Sequence, residues 1–185
     1  MGALAKPMDM EAFLAWEGRQ ELRHEFDGVR IFAMTGGTWA HATIQHNLVY
    51  ALSRRLDGKP CQPRGSEMML RSASSIRYPD AFVICTPVAN AATFVTDPVV
   101  VFEILSKSTA NADLGAKRSE YQSIPSLQRY VILHQSHRAA EVFYRDADLA
   151  DGWAFEDLSG EQAALAMPEI GISIPLGEIY GNLTL

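Results

Sequence analysis

The sequence predicts an α/β (α+β) fold in which helices cover a β-sheet, and three observations support this. A large aliphatic residue recurs every four positions at Ile44, Leu48, Leu52 and Leu56, which indicates a long helix with one apolar face. The run from Val99 to Leu105 is apolar on both faces, as is typical of a central strand. Further short strand patterns alternate with helical ones along the chain.

The first third of the chain is predicted to form a helix, a hairpin and a second helix. Asp9 to Glu17 begins with a residue that commonly caps helices and carries a partly apolar surface. Leu22 to Met34 contains β-type residues on both sides of Asp27-Gly28, which is a hairpin signal. The long helix runs from Thr38 to about Leu56, and Gly58-Lys59-Pro60 ends it.

The remainder is predicted to form mainly strands with two further helical segments. A helix beginning at Asn111 or Asp113 ends before Ile124-Pro125, and a last helical turn lies at Leu176 to Tyr180. The predicted strands are Glu67 to Arg71, Ala81 to Cys85, Val99 to Leu105, Tyr130 to His134, Ala140 to Arg145, one near Trp153, and Ile172 to Ile174.

Composition limits the classes of protein that fit. The 185 residues suit one domain over residues 1–185, with 48% hydrophobic and 21% charged residues. We expect a cytoplasmic location, because the chain lacks both an apolar run of roughly 18 residues and a signal-peptide pattern. Two cysteines exclude a disulfide framework and a cysteine-rich zinc site, and Cys85 is predicted to be a small core residue. The net charge of −6 argues against a general nucleic-acid coat protein but does not exclude a nuclease.

Glu103 is the most informative position for function, because valine, phenylalanine, isoleucine and leucine flank it. An ionised carboxylate in such surroundings is costly to desolvate unless a cation or hydrogen bonds compensate. One interpretation is a buried glutamate paired with an arginine or lysine, or one exposed on an edge strand. The other is a functional carboxylate, and the pattern alone does not separate them.

Asp80 follows Pro79 and opens the predicted strand Ala81 to Cys85, so it is interpretable as an ordinary turn residue. Its separation of 23 residues from Glu103 leaves room for a strand, a loop and a returning strand. Two carboxylates could then meet across adjacent strands and bind a hard divalent cation through oxygen.

Several blocks of sequence carry a resemblance to a known family. They are Tyr78-Pro79-Asp80, Asp97 to Ser106, Asp113 with Lys117 and Tyr121, Ile124 to Tyr130, His24-Glu25-Phe26, Phe32 to Gly37, and His41 to Leu48. Together these blocks, from about residue 10 to residue 145, resemble the Uma-two family of endonucleases in the PD-(D/E)XK nuclease superfamily. The resemblance implies a restriction-endonuclease-like mixed central β-sheet flanked by helices.

The resemblance also implies a site. Asp80 and Glu103 would bind Mg²⁺ or Mn²⁺, and Glu25 would be an additional acidic residue in a second-shell or second-metal position. A bound cation would lower the pKa of a water molecule and neutralise charge on the phosphate. Lys117 would stabilise the transition state or help to deprotonate the attacking water.

One departure from the superfamily pattern concerns the lysine. Leu105 occupies the position two residues after the second acid, where the superfamily name calls for lysine. The resemblance implies that Lys117 replaces it. Lys107 is an alternative candidate for the active-site lysine. Because side chains alternate along a strand, residues 103, 105 and 107 would share a face.

His41 and Tyr121 are further candidates for lining the substrate. The alternatives are a capping or packing role for His41 and a core position for Tyr121. His41 and His46 lie five residues apart, about 140° around a helix, so they are not expected to share a zinc ion. We therefore expect a metal-dependent endonuclease that cleaves DNA, acting as a homodimer because two strands are cut. Two alternatives stay open: a degenerate nuclease fold kept as a nucleic-acid-binding or protein-interaction module, and hydrolysis of another phosphate ester.

Overall fold

The helices and strands follow the apolar periodicity of the sequence in most places. A computed structural model describes residues 8–34, 36–105 and 114–185. The helices are α1 (Met10–Glu17), α2 (Trp39–Leu56), α3 (Leu114–Gln122) and α4 (Leu176–Ile179), with a 3-10 turn at Pro168–Ile170. The strands are β1 (His24–Phe26), β2 (Ile31–Ala33), β3 (Gln62–Gly65), β4 (Met69–Arg71), β5 (Ile76–Arg77), β6 (Ala81–Ile84), β7 (Phe94–Val95), β8 (Pro98–Leu105), β9 (Arg129–His134), β10 (Ala139–Arg145), β11 (Trp153–Ser159), β12 (Ala164–Met167) and β13 (Ile172–Pro175).

The central sheet has six strands in the order β11-β10-β9-β8-β6-β3. Strands β8 and β9 run parallel, whereas the other neighbouring pairs are antiparallel. The parallel pair is joined through α3, as a crossover between parallel strands requires. The predicted mixed sheet flanked by helices is therefore confirmed.

Helix α2 covers one face of this sheet. Thr38 caps it, because its side chain accepts a hydrogen bond from the backbone N–H of His41. The predicted apolar stripe is buried at Ile44, Leu48, Leu52 and Leu56. These residues belong to one core cluster with alternate residues of β8, namely Val100, Phe102 and Ile104. The face of the sheet beneath α2 is therefore buried in an apolar core.

Helix α3 lies against the opposite face. Tyr121 and the residues after α3, Ile124 and Leu127, are buried in a second cluster with Val101 of β8 and Tyr130 of β9. Because side chains alternate along a strand, Glu103 projects to the same face as Val101. The carboxylate thus lies on the side of the sheet that α3 covers.

A five-stranded sheet, ordered β2-β1-β5-β4-β7, adjoins this arrangement. The predicted hairpin is formed by β1 and β2, and its turn contains Gly28 at a φ of +91°, which favours glycine. Strand β5 pairs with β1 and carries Arg77. This sheet positions Glu25 and Arg77 next to each other. A separate two-stranded sheet contains β12 and β13.

The sequence prediction missed four strands, which are β3, β5, β7 and β12. Strand β3 has the sequence QPRG, which lacks apolar alternation, and it forms the edge of the central sheet, where proline is tolerated. Strands β5 and β7 have two residues each, too few to show a period. Strand β3 pairs with β6 and β7 pairs with β4, neighbours that are distant in sequence, whereas β12 pairs with the nearby β13.

The expected burial of Cys85 and the expected cytoplasmic location have different outcomes. Cys85 was expected to be a small core residue, and this is wrong: it is only partly buried, because it lies just after β6 and forms a disulfide with Cys61. In the described ranges, no helix combines the length and apolar character needed to cross a bilayer. Cytoplasmic localisation stays a prediction.

Candidate active site

Asp80 and Glu103 meet where β6 begins. Ala81 is paired with Phe102 in the antiparallel ladder of β6 and β8, so the preceding residue, Asp80, lies opposite Glu103. The Asp80 Oδ2 accepts a hydrogen bond from the backbone N–H of Ile104 at 2.7 Å, which ties it to the neighbouring strand. The structure thus brings together the two carboxylates predicted from the sequence.

Glu103 is a buried carboxylate with two donors. Its Oε1 accepts a hydrogen bond from the Tyr121 hydroxyl at 2.7 Å and lies 3.2 Å from the Lys117 ammonium nitrogen. Burial raises the pKa of Glu103 to about 7, Lys117 opposes that rise, and the carboxylates of Asp80 and Glu25 reinforce it. The pocket therefore holds more negative charge than its own lysine neutralises.

Lys117 lies between two acids. Its Nζ is 3.2 Å from Glu103 Oε1 and 3.4 Å from Glu25 Oε2. Burial favours loss of its proton, but the attraction of Glu103 and Glu25 outweighs burial and raises the pKa of Lys117. Lys117 is therefore an ammonium cation directed at the carboxylates.

Glu25 is held mainly by β5. Its Oε1 accepts a hydrogen bond from the backbone N–H of Tyr78 at 3.1 Å, and its Oε2 accepts one from Arg77 at 3.2 Å. Arg77 also binds both carboxylate oxygens of Glu120, at 2.8 and 2.7 Å. Since Glu120 lies on α3 with Lys117, one buried guanidinium connects the five-stranded sheet to the helix that carries the lysine.

Two side chains of α2 fix Asp80 from the other side. His41 Nε2 lies 2.8 Å from Asp80 Oδ1, and this hydrogen bond raises the pKa of His41. Gln45 donates a hydrogen bond from Nε2 to the backbone oxygen of Asp80 at 2.8 Å. The Asp80 carboxylate is thus restrained by both its strand neighbour and the first turns of α2.

The donor set suits a divalent cation with two protein carboxylates. Among the described residues, Lys117 and Arg77 are the lysine and arginine in this network, whose acids are Asp80, Glu103, Glu25 and Glu120. When all four carboxylates are ionised and His41 is neutral, the network has an excess of two negative charges. Mg²⁺ commonly binds through one or two carboxylates and keeps several water ligands.

Within the residues that the structure describes, no three His, Cys, Asp or Glu side chains are grouped to hold one metal. Both oxygens of Glu25 already accept hydrogen bonds from Arg77 and Tyr78. The role of Glu25 as a metal ligand stays a prediction.

Comparison with known proteins identifies the family of this chain. The model of the Uma2 family, described as "Putative restriction endonuclease", matches residues 10–176. The chain belongs to the Uma2 family. This is the Uma-two family that the sequence blocks resemble, and the match extends beyond residue 145 to include β11, β12 and β13.

Two cyanobacterial relatives and one solved structure extend the comparison. The uncharacterized Synechocystis protein slr1290 is 31% identical over 176 residues, covering 94% of this chain and 91% of its own. A second Synechocystis protein, sll1609, is 27% identical over 168 residues, covering 88% and 94%. A crystal structure from Anabaena variabilis, described as a putative nuclease belonging to DUF820, aligns with a TM-score of 0.76 at 14% identity, covering 94% of this chain and 98% of that one. This Uma2 protein therefore has the restriction-endonuclease-like fold.

The other predicted site residues of this Uma2 chain have distinct outcomes. Tyr121 is buried, as a core residue would be, and also donates to Glu103. His41 reaches Asp80 while its backbone N–H is bonded to the Thr38 cap. Lys107 and Asp113 lie outside the described residues, so the choice between Lys107 and Lys117 rests on the contacts of Lys117 alone.

Sequence reasoning missed Arg77, Glu120 and Gln45. The requirement that a buried glutamate have a cationic partner was the available signal, but it did not indicate which arginine would supply it. Tyr130 was also missed; its hydroxyl is buried without a hydrogen-bond partner in the described structure and lies in the field of Glu103 and Asp80. Burial and these charges raise the pKa of Tyr130, so it stays a neutral phenol beside the acids.

Proposed function

We propose that this protein is a divalent-metal-dependent endonuclease that hydrolyses phosphodiester bonds in DNA. The observation that carries the proposal is the convergence of Asp80, Glu103 and the Lys117 ammonium at one end of β6, with an excess of negative charge. The family description and the fold support the nuclease class.

Asp80 and Glu103 would hold Mg²⁺ or Mn²⁺. When bound, the cation would lower the pKa of a water molecule and offset charge on the phosphate. Lys117 stays protonated because its carboxylate neighbours raise its pKa, so it suits stabilising negative charge on the phosphoryl oxygens better than accepting a proton. This assigns Lys117 the first of the two roles that the resemblance left open.

The remaining residues would position this trio. Tyr121 donates to Glu103 Oε1 and so orients the carboxylate, while its own pKa is raised by burial and it keeps its proton. Glu25, held by Arg77 and Tyr78, directs the Lys117 ammonium. His41 would orient the Asp80 carboxylate through the hydrogen bond between its Nε2 and Asp80 Oδ1.

The test separates metal binding from catalysis. Mn²⁺ is titrated by calorimetry into wild type, Asp80→Ala, Lys117→Met and Asp157→Ala, and metal-dependent nicking of supercoiled plasmid is measured for each. Asp157 is an exposed carboxylate on β11 and serves as the matched control. We expect Asp80→Ala to lose Mn²⁺ binding and nicking, Lys117→Met to retain binding and lose about 100-fold or more in nicking rate, and Asp157→Ala to change neither.

Equal Mn²⁺ binding by wild type and Asp80→Ala would contradict the proposal. A second candidate, a degenerate fold that binds nucleic acid or a protein, is favoured by Leu105, which packs against the apolar cluster in the position of the superfamily lysine. Binding of DNA without metal and without nicking would support that candidate.

We further propose that the enzyme acts as a homodimer, since cutting both strands of a duplex suits a two-fold arrangement. Light scattering coupled to size-exclusion chromatography measures its mass directly. The expected value is twice the 20.4 kDa of one chain. A monomeric mass in the presence of Mg²⁺ and duplex DNA would contradict the homodimer without affecting the site.

A further inference from the structure

A groove follows the outer side of α2 and lies apart from the carboxylates. It has a volume of about 570 Å³ and runs between α2 and the edge strand β3. Its lining from α2 includes Gln45, His46 and Tyr50, and its lining from β3 and the following turn includes Arg64 and Ser66. The proposed hydrolytic chemistry uses none of these side chains directly.

The α2 side of the groove is aromatic and exposed. The rings of His46 and Tyr50 are parallel to within 1°, with centroids 6.4 Å apart, and the Arg54 guanidinium lies over the Tyr50 ring at 5.6 Å. Tyr50 is 57% exposed and Trp39 is 83% exposed. Positions 39, 46 and 50 share one face of the helix, so a row of flat side chains faces solvent. Such surfaces are costly to leave uncovered unless a flat partner stacks on them.

Two arginines lie along the groove in a protein whose net charge is −6: Arg64 belongs to its lining, and Arg54 lies just outside it over the Tyr50 ring. The lining also includes one acidic residue, Glu67, whose Oε1 accepts a hydrogen bond from the backbone N–H of Gly65 at 3.2 Å.

Arg64 bonds to the Pro63 backbone oxygen and to the Gln62 amide oxygen, which are neutral acceptors. In the described part of the chain, neither Arg64 nor Arg54 lies within ion-pair distance of a carboxylate. Both guanidiniums are therefore available to an anionic ligand.

The groove begins at the candidate active site. Gln45 donates one hydrogen bond to Ser66 Oγ at 3.0 Å, inside the groove, and another to the backbone oxygen of Asp80 at 2.8 Å. From Gln45 to Arg54, α2 extends about 14 Å. That length matches roughly four nucleotides at the 3.4 Å rise of one stacked strand.

We propose that this groove binds an unpaired DNA strand that continues from the phosphodiester held at Asp80 and Glu103. The proposal rests on the proposed nuclease function and specifies its substrate as DNA with a single-stranded segment. Bases stack on Tyr50 and His46, and the phosphates contact Arg64 and Arg54. Stacking on aromatic side chains combined with a cationic track is the general mode by which proteins bind single strands.

An unpaired strand fits better than a duplex or a peptide. In a duplex the faces of the bases are covered by their neighbours, so the exposed rings of α2 could contact only its edges and backbone. An acidic peptide would use the arginines but would leave the parallel ring faces without flat partners. The exposed ring faces, together with Arg64 in the groove and Arg54 beside Tyr50, therefore favour nucleobases linked by phosphates.

The test measures binding in EDTA, so that catalysis plays no part. Fluorescence anisotropy of a fluorescein-labelled 12-nucleotide oligo(dT) is compared with a labelled 12-base-pair duplex, an oligo(U) strand and an acidic peptide. The proteins are full-length wild type, Tyr50→Ala, Tyr50→Phe, Arg64→Ala and Phe155→Ala. Phe155 on β11 is 52% exposed and controls for loss of an exposed aromatic ring elsewhere.

We expect Tyr50→Ala to weaken oligo(dT) binding about five- to tenfold or more, while Tyr50→Phe and Phe155→Ala stay near wild type. Arg64→Ala should lower the slope of log affinity against log salt by about 0.7. Preferential binding of oligo(U) would assign the groove to RNA and overturn the DNA proposal. Equal effects of Tyr50→Ala and Phe155→Ala, stronger duplex or peptide binding, or no binding of oligo(dT) by wild type would also overturn it.

The outcome is independent of the metal site. The anisotropy measurement contains no divalent cation, so it does not depend on the metal that Asp80 and Glu103 would hold. Tyr50→Ala should bind Mn²⁺ as wild type does. Failure of the nuclease proposal would therefore appear as unchanged Mn²⁺ binding or nicking in Asp80→Ala, whereas failure of the groove proposal would appear only in the anisotropy data.

Discussion

The two faces of β8 are both buried, but they are stabilised in different ways. Val100, Phe102 and Ile104 project into the apolar cluster beneath α2. On the other face Val101 is followed by Glu103, which contacts Tyr121 and Lys117 of α3. One strand thus carries a self-sufficient apolar face and a charged face whose stability depends on partners from other elements.

The two faces therefore differ in the free energy of burying their side chains. Burying an aliphatic side chain is favourable by itself, at roughly 25 cal/mol per Å² of apolar area. Burying Glu103 is unfavourable until Lys117 and Tyr121 contact it. Replacing a buried ionic network of this kind with well-packed apolar side chains often leaves the protein at least as stable. Under the proposed nuclease function the charged face would serve catalysis, whereas the apolar face stabilises the fold.

Arg77→Met should be the most destabilising change on the charged side. Arg77 is 5% exposed and contacts the carboxylates of the buried Glu25 and the partly buried Glu120, so its loss leaves both acids without their shared cation. We expect a loss of about 3–5 kcal/mol in the free energy of unfolding, measured by urea denaturation. Because α3 then loses its tie to β5, the nicking rate should also fall.

Arg30→Met provides the matched control for this prediction. Arg30 also pairs with an aspartate, Asp27, but its side chain is 69% exposed. Such surface pairs contribute about 0–1 kcal/mol, so this variant should unfold almost as wild type does. Comparable losses in the two arginine variants would show that burial does not distinguish the two pairs.

The next predicted effect is a change in the free energy of unfolding with pH that is due to the Glu103 carboxyl group. Its pKa is raised from 4.5 to about 7 in the folded protein. Between these pH values the folded protein keeps the proton and the unfolded chain has released it, so the free energy of unfolding falls as pH rises. The limiting slope for one such group is about 1.4 kcal/mol per pH unit.

Glu103→Gln removes this titration. Measured by urea denaturation without divalent cations, wild type should lose stability relative to Glu103→Gln as pH rises from about 4.5 to about 7, and the difference should be constant above that range. A wild-type protein that instead gains stability relative to the variant would show that Lys117 overcompensates for burial.

Much of the fold follows from local pattern, for reasons visible in particular elements. Helix α2 is predictable because its apolar positions repeat with the helical period, and β8 because hydrocarbon flanks it on both faces. Strand β3 is unpredictable because its QPRG sequence has no such pattern and only pairing with β6 makes it a strand. The Cys61–Cys85 pair follows from the same pairing, which brings together the residues flanking β3 and β6.

The residues of the candidate site also differ in how far the sequence predicts them. Glu103 was conspicuous because it lies within an apolar run, and Asp80 became a candidate through its spacing from Glu103. The family resemblance implied both as metal ligands and added Glu25 and Lys117. Arg77 could not, because an arginine beside Ile76 in a two-residue strand is ordinary in sequence. Its role depends on the approach of β1, β5 and α3, which separate residues 25, 77 and 120 in the chain.

Tyr121→Phe should produce a smaller effect on the charged face. The variant keeps the ring that packs against Tyr130 and removes only the hydroxyl that donates to Glu103 at 2.7 Å. We expect a loss of roughly 1–2 kcal/mol in the free energy of unfolding at pH 8, where Glu103 is ionised. At pH 5, where Glu103 is protonated and needs the donor less, the loss should be smaller. An equal loss at both pH values would place the effect in packing.

Ile104→Val should produce the smallest effect and tests whether the two faces of β8 are separable. The Ile104 side chain is 4% exposed among hydrocarbon, while its backbone N–H donates to Asp80 Oδ2. Valine removes one methylene and keeps the N–H, so the loss should be about 1 kcal/mol in unfolding free energy. Calorimetry should give the same Mn²⁺ affinity as wild type. Weakened Mn²⁺ binding in this variant would mean that packing under α2 sets the position of the Asp80 carboxylate, and the two faces would then act as one unit.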